Sequence, residues 1–284
     1  MPSVRQIRSR LKSIHSTKQI MRAMQLVSAS KLKRAQDRML QARSTMGFLD
    51  GLLQRVLAAT GPISHPLCAA HDAKPNLLVV VTSDAGLCGS YNSGLIQLAE
   101  ATVKRDTFQR TQLMYIGRKG SRYFTRRGYQ AVESYLDLAG RPDLAKAEAI
   151  ARKTMGYFTG GQVGAVHVLY ARHVSAAVSK PTLMQWLPIR LEPAASKTTD
   201  EYIFEPSPQR VFEDLLPRWT LAKFQLILLE AFTSEHSARM VAMKNATDNA
   251  EELLKSLTLQ RNKIRQAAIT KELSEIVGTV EALK

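Results

Sequence analysis

From Val4, alternate steps of three and four residues reach Ile7, Leu11, Ile14, Lys18, Met21, Gln25, Ser28, Leu32, Ala35, Met39, Ala42, Met46, Leu49, Leu53 and Val56. Only Lys18, Gln25 and Ser28 among them are polar. This spacing keeps a narrow apolar stripe on one side of a helix, the seam of a coiled coil. No proline falls between Pro2 and Pro62, so one helix can run through the stretch for roughly 80 Å at the usual rise per residue. That is longer than a globular domain needs, and such a helix cannot hide its stripe alone.

The other end of the chain mirrors this pattern. No proline follows Pro217, and a stripe runs through Ala246, Ala250, Leu253, Leu257, Gln260, Ile264 and Ala267. It resumes one register away at Ile269, Leu273, Ile276, Val280 and Leu283, which is a local stutter in a coil rather than its end. Upstream, Ala238, Ala242, Ala246 and Ala250 recur every four residues and allow two helix backbones to approach closely. A helix from about Gln209 to Ala282 would extend on the order of 110 Å. With a domain inserted between them, the two terminal helices are expected to pair antiparallel. The longer C-terminal one should leave a tip, with Ile276, Val277, Val280 and Leu283 on several sides, that needs an apolar sleeve.

Between the helices the pattern changes to α/β. Leu77 to Thr82 is a short continuous apolar run, as in a strand buried on both faces. Further strands are expected over Gln112 to Gly117, Gly164 to Val174 and Thr182 to Leu191, the last two as a hairpin. Helices are expected over Ser93 to Arg105, Lys119 to Arg127 and Pro142 to Phe158, with Pro142 in a first turn. The fold class is therefore α/β: a long antiparallel coiled coil of N- and C-terminal helices carrying an inserted, Rossmann-like α/β domain. The expected boundaries are 1–60, 61–208 and 209–284, with linkers over Gly61 to Pro75 and Glu192 to Pro208.

Charge narrows the classes of function. The formal net charge is +16, which calls for an acidic partner: nucleic acid, an anionic membrane surface or an acidic protein. Arg5, Arg8, Arg10, Lys12, Lys18, Arg22, Lys31, Lys33, Arg34 and Arg38 clothe the first helix, where only Asp37 and Asp50 are acidic. No aromatic is interleaved with these cations before Phe48, so an acidic protein surface fits as well as a nucleic acid. Cys68 and Cys88 are too few for a disulfide scaffold and too far apart for a zinc pair. The six histidines show no metal-ligand spacing, and neither a metal nor a cofactor is expected. The apolar runs are too short to span a bilayer, so membrane contact is expected only through partners.

Ser83 to Asn92 follows a strand and precedes a helix, where nucleotide-binding folds place their phosphate loop. It has neither the G-x-G-x-x-G spacing nor a lysine set to reach a phosphate. A tight strand-to-helix turn is the simpler reading. Cys88 has no histidine near it in sequence and reads as a buried thiol rather than a nucleophile.

Four segments carry a family resemblance. Thr17 to Lys31 (TKQIMRAMQLVSASK) resembles the N-terminal signature of F-type ATP synthase gamma subunits, and Ser83 to Asn92 (SDAGLCGSYN) resembles their strand-to-helix turn. Ser234 to Ala250 and Asn262 to Val277 are similar to the two parts of the family's C-terminal helix. The resemblance implies a central rotor subunit, not itself catalytic, that couples ion flow through a membrane ring of c subunits to ATP chemistry on the β subunits. It implies as partners the hexamer of α and β subunits, the epsilon subunit and the c ring, with no nucleic acid. It also implies a peripheral place on the cytoplasmic face of the bacterial plasma membrane. By matching position, Met24, Arg265, Gln266, Thr270 and Glu272 are the implied contacts with β, and Tyr202, Phe204 and Glu205 the implied contacts with the c ring or epsilon. Lys18-Gln19, Met21, Ala85 and Gly278-Thr279-Val280 depart from the family's commoner residues, which puts individual contacts in question. Two other classes stay open from the residues alone: a basic coiled-coil protein that binds nucleic acid, and a small nucleotide-binding enzyme.

Overall fold

The structure, a computed structural model, describes residues 4–60, 64–69, 74–105, 110–138, 140, 143–175, 178–190 and 203–282. Each terminal segment is one continuous helix, α1 over Val4–Thr60 and α5 over Pro208–Ala282. The chain forms two compact units, 1–28 with 240–284, and 29–239. Both long helices contribute to both units.

In the first unit the helices run antiparallel, with the Lys18 ammonium 2.8 Å from the Glu251 carboxylate. Throughout α1, every predicted stripe position from Ile7 to Val56 is buried or half-buried. Ser28 is buried despite its hydroxyl. On α5 the stripe differs from its expected phase. Met243, Thr247 and Ala250 are buried and Leu254, Leu257, Arg261 and Ile264 half-buried, whereas Leu253, Gln260 and Ala267 are exposed. Ala250, Leu257 and Ile264 belong to both phases, and Leu253 and Leu254 are the same residue type, so spacing alone does not choose between them. The observed phase puts Thr247 and Arg261 on the inner side. The Thr247 hydroxyl donates back to the Met243 carbonyl at 2.8 Å, and the Arg261 guanidinium donates to Asn262 Oδ1 at 3.2 Å. Their apolar stems can therefore line a seam. Every described residue from Arg265 to Thr279 is exposed.

The second unit is built on a five-stranded sheet in the order β3-β2-β1-β4-β5. The strands are β1 Asn76–Val81, β2 Gln112–Ile116, β3 Ala131–Tyr135, β4 Ala165–His173 and β5 Ser179–Leu187. The first four are parallel and β5 is antiparallel to β4. Three crossover helices follow, α2 Tyr91–Val103, α3 Arg118–Thr125 and α4 Leu144–Thr159. β1 is buried on both faces. Leu77, Val79 and Val81 join a core with α4 and the long helices, while Leu78 and Val80 join one with α2 and α3.

Some elements depart from the sequence reading. β3 is absent from it because Ala131-Val132-Glu133-Ser134-Tyr135 is half polar; as an edge strand its residues alternate between half-buried and exposed. α4 starts at Leu144 with Asp143, not a proline, as its cap: the carboxylate accepts the Lys146 N–H at 3.2 Å. Pro142 lies outside the described residues. β5 ends at Leu187, short of Leu191.

Gly117, between β2 and α3, has φ +97 and hands its N–H to the Tyr135 carbonyl. A Cβ there would sit 2.0 Å from the Thr82 carbonyl oxygen. Both the backbone conformation and the close approach demand glycine. Gly117→Ala is expected to destabilise the fold by about 3 kcal/mol or more, read as a lower urea midpoint at unchanged slope.

Candidate functional site

In an open sheet with this strand order, ligands bind outside the carboxyl ends of the strands where the order reverses. Here that point lies between β1 and β4, and the crevice is filled by α5. Tyr91 at the start of α2 donates its hydroxyl to the Ala231 carbonyl at 3.1 Å. Ser234 Oγ donates to the Ala171 carbonyl near the end of β4 at 2.9 Å. The Arg239 guanidinium reaches into the turn after β1, donating from Nη2 to Ala85 O at 3.1 Å and from Nε to Gly86 O at 3.2 Å.

The turn itself is closed by its own side chains. Ser83 N–H donates to Asn92 Oδ1 at 3.0 Å, and Asn92 Nδ2 donates to Ser83 Oγ at 2.8 Å and to Cys88 Sγ at 3.1 Å. Asp84 Oδ1 accepts the backbone N–H of Arg118, the first residue of α3, at 3.0 Å, and that of Asp137 at 3.1 Å. The carboxylate thus caps the N-terminus of α3, the helix after β2, and draws the turn after β1 towards it. Leu87 and Gly89 take left-handed conformations. Burial pushes the Cys88 thiol up from its ordinary value, so it is not an activated nucleophile. Among the described residues no three metal-ligating side chains converge.

The polar groups on α5 are themselves buried and paired. Glu235 lies one helical turn before Arg239, with Oε1 2.8 Å from Nη2, and their side chains are 4% and 9% exposed. Burial raises the Glu235 carboxyl despite that partner. His236 Nε2 is 2.9 Å from the Gly140 carbonyl and its Nδ1 3.4 Å from Arg239 Nη1. These partners assign the tautomer: Nε2 carries the proton and Nδ1 accepts. Gly140, at φ +61, lies so close that a Cβ would come within 2.9 Å of the imidazole. The sequence singled out this stretch of α5 but not its role. The legible signal was the Glu235–Arg239 pair at i, i+4 inside a run too polar for a core helix.

Position by position, the implied contacts fall on two separate surfaces. Met24 is half-buried on α1. Arg265, Gln266, Thr270 and Glu272 are exposed on α5 within a sector of about 160° at 100° per residue. They are interleaved with Ile269 and Leu273, 49% and 57% exposed, and followed by Ile276 and Val277 at 59% and 62%. Of the implied foot contacts, Phe204 packs half-buried against the core beside α5 and Glu205 is exposed, while Tyr202 lies outside the described residues. The cations Arg5, Arg8, Arg10, Lys12, Arg22, Lys31, Lys33, Arg34 and Arg38 are all exposed. No described helix is long and apolar enough to cross a membrane.

Two outcomes follow from the buried cluster. Arg239→Met leaves Glu235 and two turn carbonyls without their donor and should cost about 3–5 kcal/mol, seen as a lower melting midpoint. Burial outweighs the Gly140 carbonyl and pushes the His236 imidazole down from 6.5 to about 4. The unfolded chain therefore binds the extra proton between those values, so the His236 contribution is complete above pH 6.5 and is lost as pH falls towards 4. In that window His236→Gln should flatten the pH dependence of the unfolding free energy by up to about 1.4 kcal/mol per pH unit. Glu235, shifted up, acts in the opposite sense, and comparing the variant with its parent isolates the His236 share.

Known proteins carry the same plan. The profile of a family described as ATP synthase matches residues 3–283. The ATP synthase gamma chain of Pelotomaculum thermopropionicum is 41% identical over 285 aligned residues, covering 100% of both chains. That of Anaeromyxobacter sp. is 42% identical over 290, again covering 100% of both. Among solved structures, a chain of the Euglena gracilis mitochondrial ATP synthase (OSCP/F1/c-ring, rotational state 3) superposes with a TM-score of 0.70 at 19% identity, covering 99% of this chain and 94% of that one. A chain from the central stalk and c-ring of the Tetrahymena thermophila enzyme gives 0.61 at 24% identity, covering 80% and 99%. At such identities the structures speak for the fold, while the full-length relatives speak for descent: the chain belongs to the ATP synthase gamma chain family.

Proposed function

We propose that this chain is the central rotor of an F-type ATP synthase, and that it does no ATP chemistry of its own. The observation that carries the reading is the pairing of α1 and α5 into an antiparallel coil, with α5 exposed at every position from Arg265 to Thr279, in a chain whose gamma relatives align from end to end. Paired helices of this kind stand in the cavity of a hexamer of α and β subunits. The exposed apolar residues Ile269, Leu273, Ile276 and Val277 take an apolar sleeve there. A shaft without threefold symmetry cannot touch three β subunits alike, so it biases each towards a different nucleotide affinity. Turning it permutes those biases, a population shift driven mechanically.

Met24, Arg265, Gln266, Thr270 and Glu272 are the contacts with β in this reading. Tyr202, Phe204 and Glu205 meet the c ring or epsilon, and the cations on α1 face acidic loops of the hexamer. The chain is held peripherally on the cytoplasmic face of the plasma membrane through those partners. The division 1–60, 61–208 and 209–284 assigns coil, foot and coil. In support of a non-catalytic role, the crevice at the β1–β4 switch is filled by Tyr91, Ser234 and Arg239.

ATP hydrolysis by α and β subunits from the same source, with and without this chain, tests the reading. The chain alone should be inert and should raise sustained turnover when added. Arg265→Glu should then lower the stimulated rate by about tenfold, the loss expected for one charge-assisted contact. Absence of binding to a correctly folded pair, together with salt-sensitive binding to DNA, would sink the rotor assignment.

A further inference from the structure

Torque enters and leaves unit 29–239 through the two helices that continue beyond it, α1 and α5. Most of the contact that holds α5 to the sheet is apolar, from Phe212 and Leu216 to Phe224, Ile227 and Ala231. Apolar burial resists separation but has no preferred direction. Interdigitated packing resists gross slippage, and directional bonds from α5 to Tyr91, to the end of β4 and to the turn after β1 add angular selectivity to its register.

One partly buried cluster joins α1, α5 and the sheet: the Arg43 side chain is 41% exposed and reaches in to a buried carboxylate. Glu230 of α5, its side chain 9% exposed, accepts from Arg43 of α1 at Oε1, 2.6 Å from Nη2 and 3.2 Å from Nε. The same Nη2 donates to the His173 carbonyl at the end of β4, 3.3 Å away. Tyr170, also on β4, lies beside this carboxylate, and burial and the Glu230 charge raise its hydroxyl above the ordinary value. Burial and the neighbouring Arg43 both hold the His173 imidazole below its ordinary value, against the pull of Glu230. Desolvating the Glu230 carboxylate offsets much of what the pair gains, so an apolar pair of the same volume can replace it at little cost, and a well-attested use for such pairs is to specify register.

We propose that Arg43 and Glu230 are positioning residues for rotary coupling: their junction ties α5 to α1 and to the end of β4, a directional link between the two torque-bearing helices that adds to the packing. This rests on the rotor reading above. The central test is the double variant Arg43→Met with Glu230→Leu, which exchanges the pair for apolar side chains and is expected to keep or raise the melting midpoint. It is assembled into the complete ATP synthase in sealed vesicles, and ions moved per ATP hydrolysed are measured beside the hydrolysis rate. The expected result is at least about a twofold fall in ions moved per ATP, with hydrolysis within about twofold of the parent, since a coupling free energy is lost and not a catalytic group. Arg43→Lys keeps the charge but loses the fork that reaches both Glu230 and His173. It should fall between the two and serves if the double variant does not fold. Parent-like coupling in a folded double variant, or in Arg43→Lys when that alone folds, overturns the proposal. A parent chain that fails to stimulate the α and β subunits overturns the rotor reading instead, so the two failures are told apart.

Discussion

Everything in the larger unit depends on how a helix with charged residues is buried at the carboxyl edge of a parallel sheet. Residues 227–237 of α5 are buried at every position, which an amphipathic helix does not allow. Burying Glu230, Glu235 and His236 in such a run costs several kcal/mol per unpaired ion. The structure supplies partners instead: Arg43 for Glu230, Arg239 for Glu235, and the Gly140 carbonyl for His236. Once those partners are fixed, so are the turn after β1, the end of β4 and the path of α1.

The same packing explains why a Rossmann-like sheet here holds no open ligand crevice at its switch point. In a nucleotide-binding relative of this architecture the loop after β1 offers N–H groups to a phosphate. In this chain its carbonyls at Ala85 and Gly86 face a guanidinium, and Asp84 caps α3. The polarity of the loop is reversed, from an anion cradle to a cation acceptor. A fold commonly associated with ligand chemistry has become a mount for a helix, an instance of function residing in the site and not in the fold.

The coil obeys different physics. Its seam mixes apolar residues with Ser28, Thr247 and the stem of Arg261, and Lys18 and Glu251, a partly exposed pair of modest worth, join across the helices. Beyond Ile264, from Arg265 to Thr279, α5 is exposed on every side. Isoleucine, leucine and valine exposed together at Ile269, Leu273, Ile276 and Val277 are a liability for a lone chain and a reason for a partner.

Period and punctuation in the sequence determined the two long helices, the α1 stripe and the buried strands β1, β2 and β4, because a 3.5-residue repeat, long stretches without proline and short continuous apolar runs act locally. The four family-like segments gave descent in the same way. Three things were decided only in three dimensions. The phase of the α5 stripe was one, since Leu253 and Leu254 are chemically equal and only the facing helix distinguishes them. β3 was another, because Glu133 looks unlike a strand residue until the edge position turns Val132 and Ser134 to solvent and brings Lys153 to the half-buried Glu133. The third was the role of Arg239, Glu235, His236, Arg43 and Glu230. A charge in a sequence reads as solvated surface by default, and only tertiary packing can remove it from water and hand it a partner far along the chain.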